Sequence, residues 1–409
     1  MSNLTKEKIV LAQWLLNPDR PLTEINNWPE LERRLKTDKL EKVFYEIELP
    51  LLPVLRAMEE RGIGVERKKI GARLTKTNRE LAALQGKIHR LAGQKFNLNS
   101  SKQLAKIIFG REQSTSADKL EAIQEQSPLA ALVLRYRELY KLKSTYLEPF
   151  LELSVADGRL HSQFLQTGTA TGRLSSRRPN LQNLPETIRA FFLASAGHQL
   201  ASFDYSQIEL RVLSAVAGAE KMIKAFGQGL DIHQLTASQV FNVSLDRVTT
   251  AMRRLAKSLN FGVVYGMGAA SFAQAAKISQ EAASQFIEEF FNNFPEIKIW
   301  QAKTIAQARK QGFVENLNGR KRWLGPDVYR GVIINMPIQS LAADIIKLAM
   351  IGVQKKLRPR LLLSVHDELL FEIENDKVKE VSAAIKEIME SVYPLVIPLK
   401  VNVKLSNPL

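Results

Sequence analysis

The sequence contains no cysteine, which excludes disulfides, thiolate metal sites and cysteine nucleophiles together. It has 5 histidines in 409 residues, and zinc chemistry is not expected from so few. Long apolar runs are missing too: stretches such as LLLSV at 361–365 break well before the roughly 18 residues that a membrane span needs. The first residues, MSNLTKEKIVLAQWLLNPDR, lack the basic start, apolar stretch and small-residue cleavage site of a secretion signal. They also carry too many acids for a transit peptide, so an intracellular protein is expected. There is no internal repeat and no low-complexity linker. With 45% hydrophobic and 24% charged residues, the composition is that of a folded protein of roughly two to four domains or subdomains.

What the chain has in excess is positive charge: 58 Lys and Arg against 42 Asp and Glu, a net +16. Between Arg67 and Arg111 stand twelve basic side chains, Lys68, Lys69, Arg73 and Lys76 among them, against one acid, Glu80. Like charges at i,i+4 on a helix repel, so a run of this kind needs a reason. An ordinary solvated basic face is one; a polyphosphate partner explains the run better. Leu74, Leu81, Leu84, Ile88 and Leu91 recur near the helical period. In the following FNLNSSKQLAKIIFG, Ser100 or Ser101 caps a short helix closed by Gly110. The first amides of such a helix, with Lys102 beside them, can hold a phosphate.

The chain is expected to be mostly helical up to about residue 155. LEKVFYEIELPLLPVLRAMEERG carries Pro50 and Pro53, which predict a kink or a break, and residues 116–152 predict two helices. Short apolar runs before polar turns at RLHSQFLQ and HQLASFDYSQIELRVLS then read as strands. Helices return from about 218 to 312. LLLSVHDELLFEIE reads as strand, tight turn, strand, followed by a helix at about 376–391 and a last strand, IPLKVNVKL.

Asp204 follows the apolar run LASF, and Asp367 and Glu368 follow LLLSV. Two such strands side by side would bring Asp204 and Asp367 together at one edge, where a divalent cation relieves their repulsion. Taken singly, each is equally a turn residue that bonds its own backbone. In AMRRLAKSLNFGVVYGMG, Arg253, Lys257, Phe261 and Tyr265 recur at intervals of four. On a helix they form one slanted stripe, two cations and then two aromatics, suited to a ligand with a polyphosphate at one end and a flat base at the other. An amphipathic helix with core aromatics fits the same spacing. Gly262, Gly266 and Gly268 weaken a helix and call for a close approach by a ligand or by backbone.

DYSQIELR at 204–211, RRLAKSLNFGVVYG at 253–266 and VHDE at 365–368 resemble, in order, the three polymerase signatures of family A DNA polymerases. FNLNSSKQL (96–104), KLKSTYLEP (141–149), TGTATGRLSSRRPNLQNLP (167–185), DIHQLTASQVF (231–241) and NMPIQSLAADIIKLAM (335–350) extend the resemblance over about 44–404. It implies a mixed α+β right hand: palm with an antiparallel sheet, helical fingers and helical thumb. The implied division is 1–43 as a remnant of the exonuclease side, 44–65 as start of the palm, 66–160 as thumb, 161–217 as palm, 218–324 as fingers and 325–409 as palm.

The resemblance further implies that Asp204 and Asp367 bind two Mg²⁺ ions, which Mn²⁺ can replace, with the Tyr205 carbonyl assisting and Glu368 accessory. It implies that Arg253, Lys257 and His233 bind the nucleotide's phosphates, with Lys257 the general acid for pyrophosphate. Phe261, Tyr265 and Gln207 would lie around the nucleotide, Glu209 would exclude a 2′-hydroxyl, and the Phe at 261 would disfavour dideoxynucleotides. Arg173, Gln182, Asn183, Asn335, Gln339 and His366 match primer-template positions near the reacting end, and Asn99, Ser100, Lys102, Lys141 and Lys143 match positions along the duplex. The partners implied are a primer-template duplex and deoxynucleoside triphosphates, without a membrane and as a monomer. The location implied is a bacterial cytoplasm or an infected cell's nucleoid, an organelle being left open. Two departures stand out: LAQWLLNP at 11–18 is a scrap of the proofreading domain, so no 3′ to 5′ excision is expected, and VKLSNPL differs from the family's usual ending.

Three other classes share parts of this pattern. A metal-dependent nuclease would cluster carboxylates on a basic surface, but the stripe from Arg253 to Tyr265 argues against it. A single-subunit RNA polymerase or reverse transcriptase would share the palm, but Glu209 argues against ribonucleotides. A non-catalytic DNA-binding module accounts for the charge and not for the carboxylates.

Overall fold

A computed structural model describes residues 3–406; Asn407, Pro408 and Leu409, the end of the VKLSNPL tail, lie outside the described residues. The chain divides into two units. One comprises Met1–Arg61, Gln163–Arg177 and Ser195–Leu409, the other Gly62–Ser162 and Arg178–Ala194.

The first unit is organised on a four-stranded antiparallel sheet in the order Val401–Leu405, His198–Tyr205, Glu368–Glu374, Arg360–Val365. The hairpin expected in LLLSVHDELLFEIE is present, and its second strand pairs with the distant His198–Tyr205. Alternation sends Phe203 and Phe371 to the core side, where their rings meet edge to face at 5.4 Å. Of the expected last strand only Val401–Leu405 forms.

The 28-residue helix Arg330–Leu357 is apolar almost all round, with Ile334, Ile338, Leu341 and Ile345 fully buried. It is long and apolar enough to cross a membrane by length and composition, although the longest unbroken apolar runs of the sequence do not announce it. Yet 78% of its most apolar window is buried inside the protein, as befits a core helix. It packs against the helices Ile208–Ala217, Pro295–Gln311 and Val378–Ser391. Helices fill Glu220–Gln311 as the sequence predicts.

Ahead of Pro50 and Pro53 the chain does not break. A π-helical stretch, Val43–Glu48, runs directly into Leu49–Arg61, with the Leu49 amide reaching back to the Phe44 carbonyl. Proline offers no amide for the usual turn, and the widened turn carries the helix through instead. This segment packs with Asn3–Leu16 and Trp28–Thr37 around Leu11, Trp14, Leu31 and Phe44. Deeper still, Glu48, Arg320, Asp344 and Lys347 form a wholly buried ionic cluster.

The second unit holds the basic stretch. Helix Arg67–Leu91 packs on Pro128–Lys141 around Leu81, Ile88, Leu104, Val133 and Leu139. The buried line runs Ile70, Thr77, Leu81, Ile88; Leu74 and Leu84 are half-buried and Leu91 is exposed. Residues 116–152 give the short Ala117–Glu121 and then one run from Pro128 to Leu153, carried past Lys141 by a second π stretch, Leu142–Leu147. Ser100, not Ser101, caps Ser101–Phe109, accepting from the Gln103 amide, and Gly110 ends it in the left-handed conformation. A small sheet, Arg159–Leu160, Ile63–Val65, Phe192–Leu193, completes the unit.

Candidate active site

Strand pairing brings the separated carboxylates to one edge of the larger sheet. Glu368 stands opposite Asp204 in register, and the Tyr205 amide donates to the Asp367 carbonyl at 3.1 Å. The hairpin turn is tight because His366 adopts a positive φ of 53°, which leaves Asp367 at the strand's mouth. Tyr205 is buried, and its hydroxyl, pushed up by burial, donates to the Met389 carbonyl at 2.7 Å. Asp204 is exposed and Asp367 half-buried. Ser202 donates to the Glu368 carboxylate from two residue pairs away, on the same face of the sheet.

Glu209, in the first turn of Ile208–Ala217, adds a fourth carboxylate, only 5% exposed. One of its oxygens takes the Arg173 guanidinium and the other the Tyr265 hydroxyl at 3.1 Å. The Asp367 carboxyl is pushed up to about 7, by burial first and then by the charge on Glu209. Arg173 pulls it back and Asp204 adds to the rise. Negative charge therefore exceeds positive charge at this edge. Oxygen donors with such an excess suit a hard divalent cation such as Mg²⁺, which takes one or two carboxylates and keeps water or substrate oxygens for the rest. Among the described residues no three His, Asp or Glu form a closed cage. Two buried acceptors near this region, Gln207 Oε1 and Asn335 Oδ1, have no hydrogen-bond partner in the chain, as expected of groups waiting for a ligand.

The stripe forms on helix Thr250–Val264, capped by Thr249. Arg253 and Lys257 are exposed, Phe261 is half-buried, and Tyr265 ends the helix. Of the three glycines only Gly266 meets a close approach. Its φ is +63°, and a Cβ there would come within 3.2 Å of the Gly331 Cα. A Cβ on Gly262 would touch the Met267 and Phe272 side chains at ordinary contact distance, and one on Gly268 would meet open space.

His233 is placed differently from an exposed phosphate ligand. It is 3% exposed, Asn260 donates to its Nδ1 at 2.9 Å, and burial pushes it down to about 4. It is thus a neutral imidazole, with only Nε2 left to donate. Asn260 also accepts from Thr236 at 3.0 Å, so this trio ties the stripe helix to Ile232–Val240.

Asn335 and Gln339 lie one turn apart on Arg330–Leu357, both half-buried, and Asn335 donates to the Tyr265 carbonyl at 3.4 Å. His366 is exposed. In the second unit Asn99, Lys102, Lys141 and Asn183 are exposed, and Ser100, Gln182 and Lys143 are half-buried. Lys143 pairs with Glu148 at 3.5 Å. The Asn183 carbonyl accepts from Tyr146, whose place in the π stretch the sequence did not single out. Nor did it single out Asp231, whose carboxylate accepts both Nε and Nη2 of Arg253 at 2.8 and 2.6 Å. An Asp just before a helix reads as a cap, and nothing in the spacing 231 to 253 announces a pair. Arg67, counted with the basic run, donates to the Leu151 carbonyl and to Ser154 and is spent on packing.

Residues 67–408 match the family model of DNA polymerase family A. The thermostable DNA polymerase I of Thermus aquaticus is 42% identical over 411 residues, covering 92% of this chain and 49% of that protein. The DNA polymerase I of Treponema pallidum is 42% identical over 409 residues, covering 92% and 41%. The chain spans about half the length of such relatives. The POL domain of Pol1 from M. smegmatis, solved in complex with DNA primer-template and dNTP, superposes with a TM-score of 0.90 at 32% identity, over 98% of this chain and 81% of that one.

Proposed function

The chain belongs to DNA polymerase family A, and from that premise we propose that it is a DNA-directed DNA polymerase, adding deoxynucleotides to a primer 3′-hydroxyl on a DNA template. The observation that carries this is the strand register at the sheet edge: Asp204 opposite Glu368, with the Tyr205 amide on the Asp367 carbonyl. Asp204 and Asp367, with the Tyr205 carbonyl, would hold the two Mg²⁺ ions. When bound, such ions make the 3′-hydroxyl a better nucleophile and neutralise charge on the leaving pyrophosphate.

The chain's own residues do the positioning. Arg253 and Lys257, exposed on one helical stripe, meet the triphosphate, and Lys257 can give a proton to the departing pyrophosphate. His233 can contribute one neutral N–H, not a charge. Glu209, fixed from both sides by Arg173 and Tyr265, is too constrained to move aside for a 2′-hydroxyl, which favours deoxyribose. Phe261 has no hydroxyl to offer a nucleotide lacking its 3′-OH, and dideoxynucleotides are disfavoured. Arg173, Asn335, Gln339 and His366, with Gln182 and Asn183, contact the primer-template end through acceptors that every correct pair shares, so the template alone sets the sequence.

Residues 66–160 act as thumb, 218–324 as fingers and the remainder from 44 onward as palm. No 3′ to 5′ excision is assigned to this chain. Three of the acids near its start, Glu7, Asp19 and Glu30, are engaged by Arg56, Arg322 and Arg33. Release of a mismatched primer terminus by the pure protein would refute that. The test of the whole is primer extension on a defined template with Mg²⁺, deoxy- against ribonucleotides, in wild type, D204A and D367A. Failure of the wild type, or undiminished extension by either variant, sinks the mechanism.

A further inference from the structure

Asp231 takes no part in the reaction as proposed, yet it makes two distinct contacts. It caps helix Ile232–Val240: its Oδ1 accepts from the amides of His233 at 2.8 Å and Gln234 at 3.1 Å. Its Oδ2 accepts from Nε and Nη2 of Arg253. One oxygen therefore holds a helix and the other holds a guanidinium. These bonds hold its carboxyl below the ordinary aspartate value, so it is charged at neutral pH. Arg253 is the first cation of the stripe, and in the absence of a nucleotide its fork is already engaged.

We propose that Asp231 sets nucleotide affinity and selectivity by occupying the Arg253 guanidinium until a polyphosphate displaces it; this rests on the phosphate role given to Arg253 above. A carboxylate carries one negative charge and a nucleoside triphosphate several, so a polyphosphate competes for the fork where orthophosphate does so poorly. Once displaced, Asp231 stays anchored by its cap to the amides of His233 and Gln234. All four deoxynucleotides meet the same barrier, which filters ligands by phosphate charge and not by base.

The variant that isolates this is Asp231→Asn. Its side-chain oxygen keeps the cap, while an NH₂ replaces the oxygen that holds Arg253 and can no longer accept from it. The measurement is equilibrium binding of a matched deoxynucleoside triphosphate, of pyrophosphate and of orthophosphate to the full chain on a dideoxy-terminated primer-template, in wild type, D231N, R253A and D231N/R253A. D231N is expected to tighten triphosphate and pyrophosphate binding by about two- to fivefold, the scale of a part-exposed ion pair, and to narrow the preference over orthophosphate. No gain is expected when Arg253 is already absent. Unchanged or weaker binding in D231N, with R253A impaired, overturns this inference and leaves the phosphate role of Arg253 standing. An equal gain in the R253A background overturns it as well, since the effect would then be general repulsion. If R253A binds as the wild type does, the phosphate role fails and this inference with it.

Discussion

Two charged clusters in the first unit use the same residue types to opposite ends. Around Glu48 the charges balance: Lys347 donates to it at 2.6 Å, Arg320 bridges it to Asp344, and all four side chains are 1% exposed or less. Gln166 serves the second Glu48 oxygen at 2.6 Å, and Asn316 and Asn318 serve Asp344. Burial alone would push the Glu48 carboxyl up; Lys347 and Arg320 outweigh it and hold it below its ordinary value. Around Asp367 the carboxylates outnumber the one arginine, and burial together with Glu209 pushes its proton affinity up. A cluster complete in charge, even with Arg320 Nη1 left without a hydrogen-bond partner, fixes the fold, whereas one left short of positive charge is built for something that arrives from outside.

The strongest test of this contrast is at the incomplete cluster. D367A and D204A are expected to lower primer extension by on the order of 10⁴-fold, about 5 kcal/mol of transition-state stabilisation, with little loss of folded protein. Failure to fold would show that the edge is structural after all. Next comes the complete cluster: E48Q leaves two cations facing one anion in a sealed core and should cost about 3 kcal/mol, read as a lowered denaturation midpoint. An unchanged midpoint would erase the distinction.

A smaller effect sharpens the contrast through pH. Asp367 titrates near 7 in the fold and near 4 when unfolded, so the fold takes up its proton more readily. The stability this contributes is present below about pH 4 and is lost as the pH rises through 7. In buffer without divalent ions, D367N should therefore melt above wild type by a margin that grows from pH 4 to 7, and added Mg²⁺ should close it by stabilising the wild type alone. A margin independent of pH and Mg²⁺ would contradict the charge excess. The smallest effect lies in the second unit. Neutralising Lys68, Lys69, Arg73 and Lys76 should flatten the salt dependence of primer-template binding, by a slope of roughly 0.9 for each DNA phosphate that no longer meets a cation, whereas Arg67→Ala should lower stability and leave the slope alone. Equal slopes for all five would mean that the basic run is one undivided surface.

Much of the site was legible because its parts lie within single elements. The strand-ending carboxylates, the four-residue stripe and the Ser100 cap are local patterns, and local patterns survive in a sequence. Most of the departures depend on partners far away in the chain. Asp231 meets Arg253 across 22 residues, Glu48 meets Lys347 across 299, and Gly266 faces Gly331. The prolines at 50 and 53 announced a disturbance, but not that a widened turn would absorb it.

By itself the sequence determined the four strands of the larger sheet and most of the helical regions outside Arg330–Leu357, the carriers of charge, and which side chains stand at strand ends or on one helical stripe, because period and propensity act over a few residues. Only the tertiary structure decided which charges are spent and which are kept. Arg67, Arg320 and Lys347 vanish into packing, His233 becomes a neutral buried ring, and Asp367 gains its raised proton affinity from burial first and then from Glu209 and Asp204. Proton affinity and the cost of a buried charge depend on the whole surrounding field, and that field exists only once distant segments have packed together.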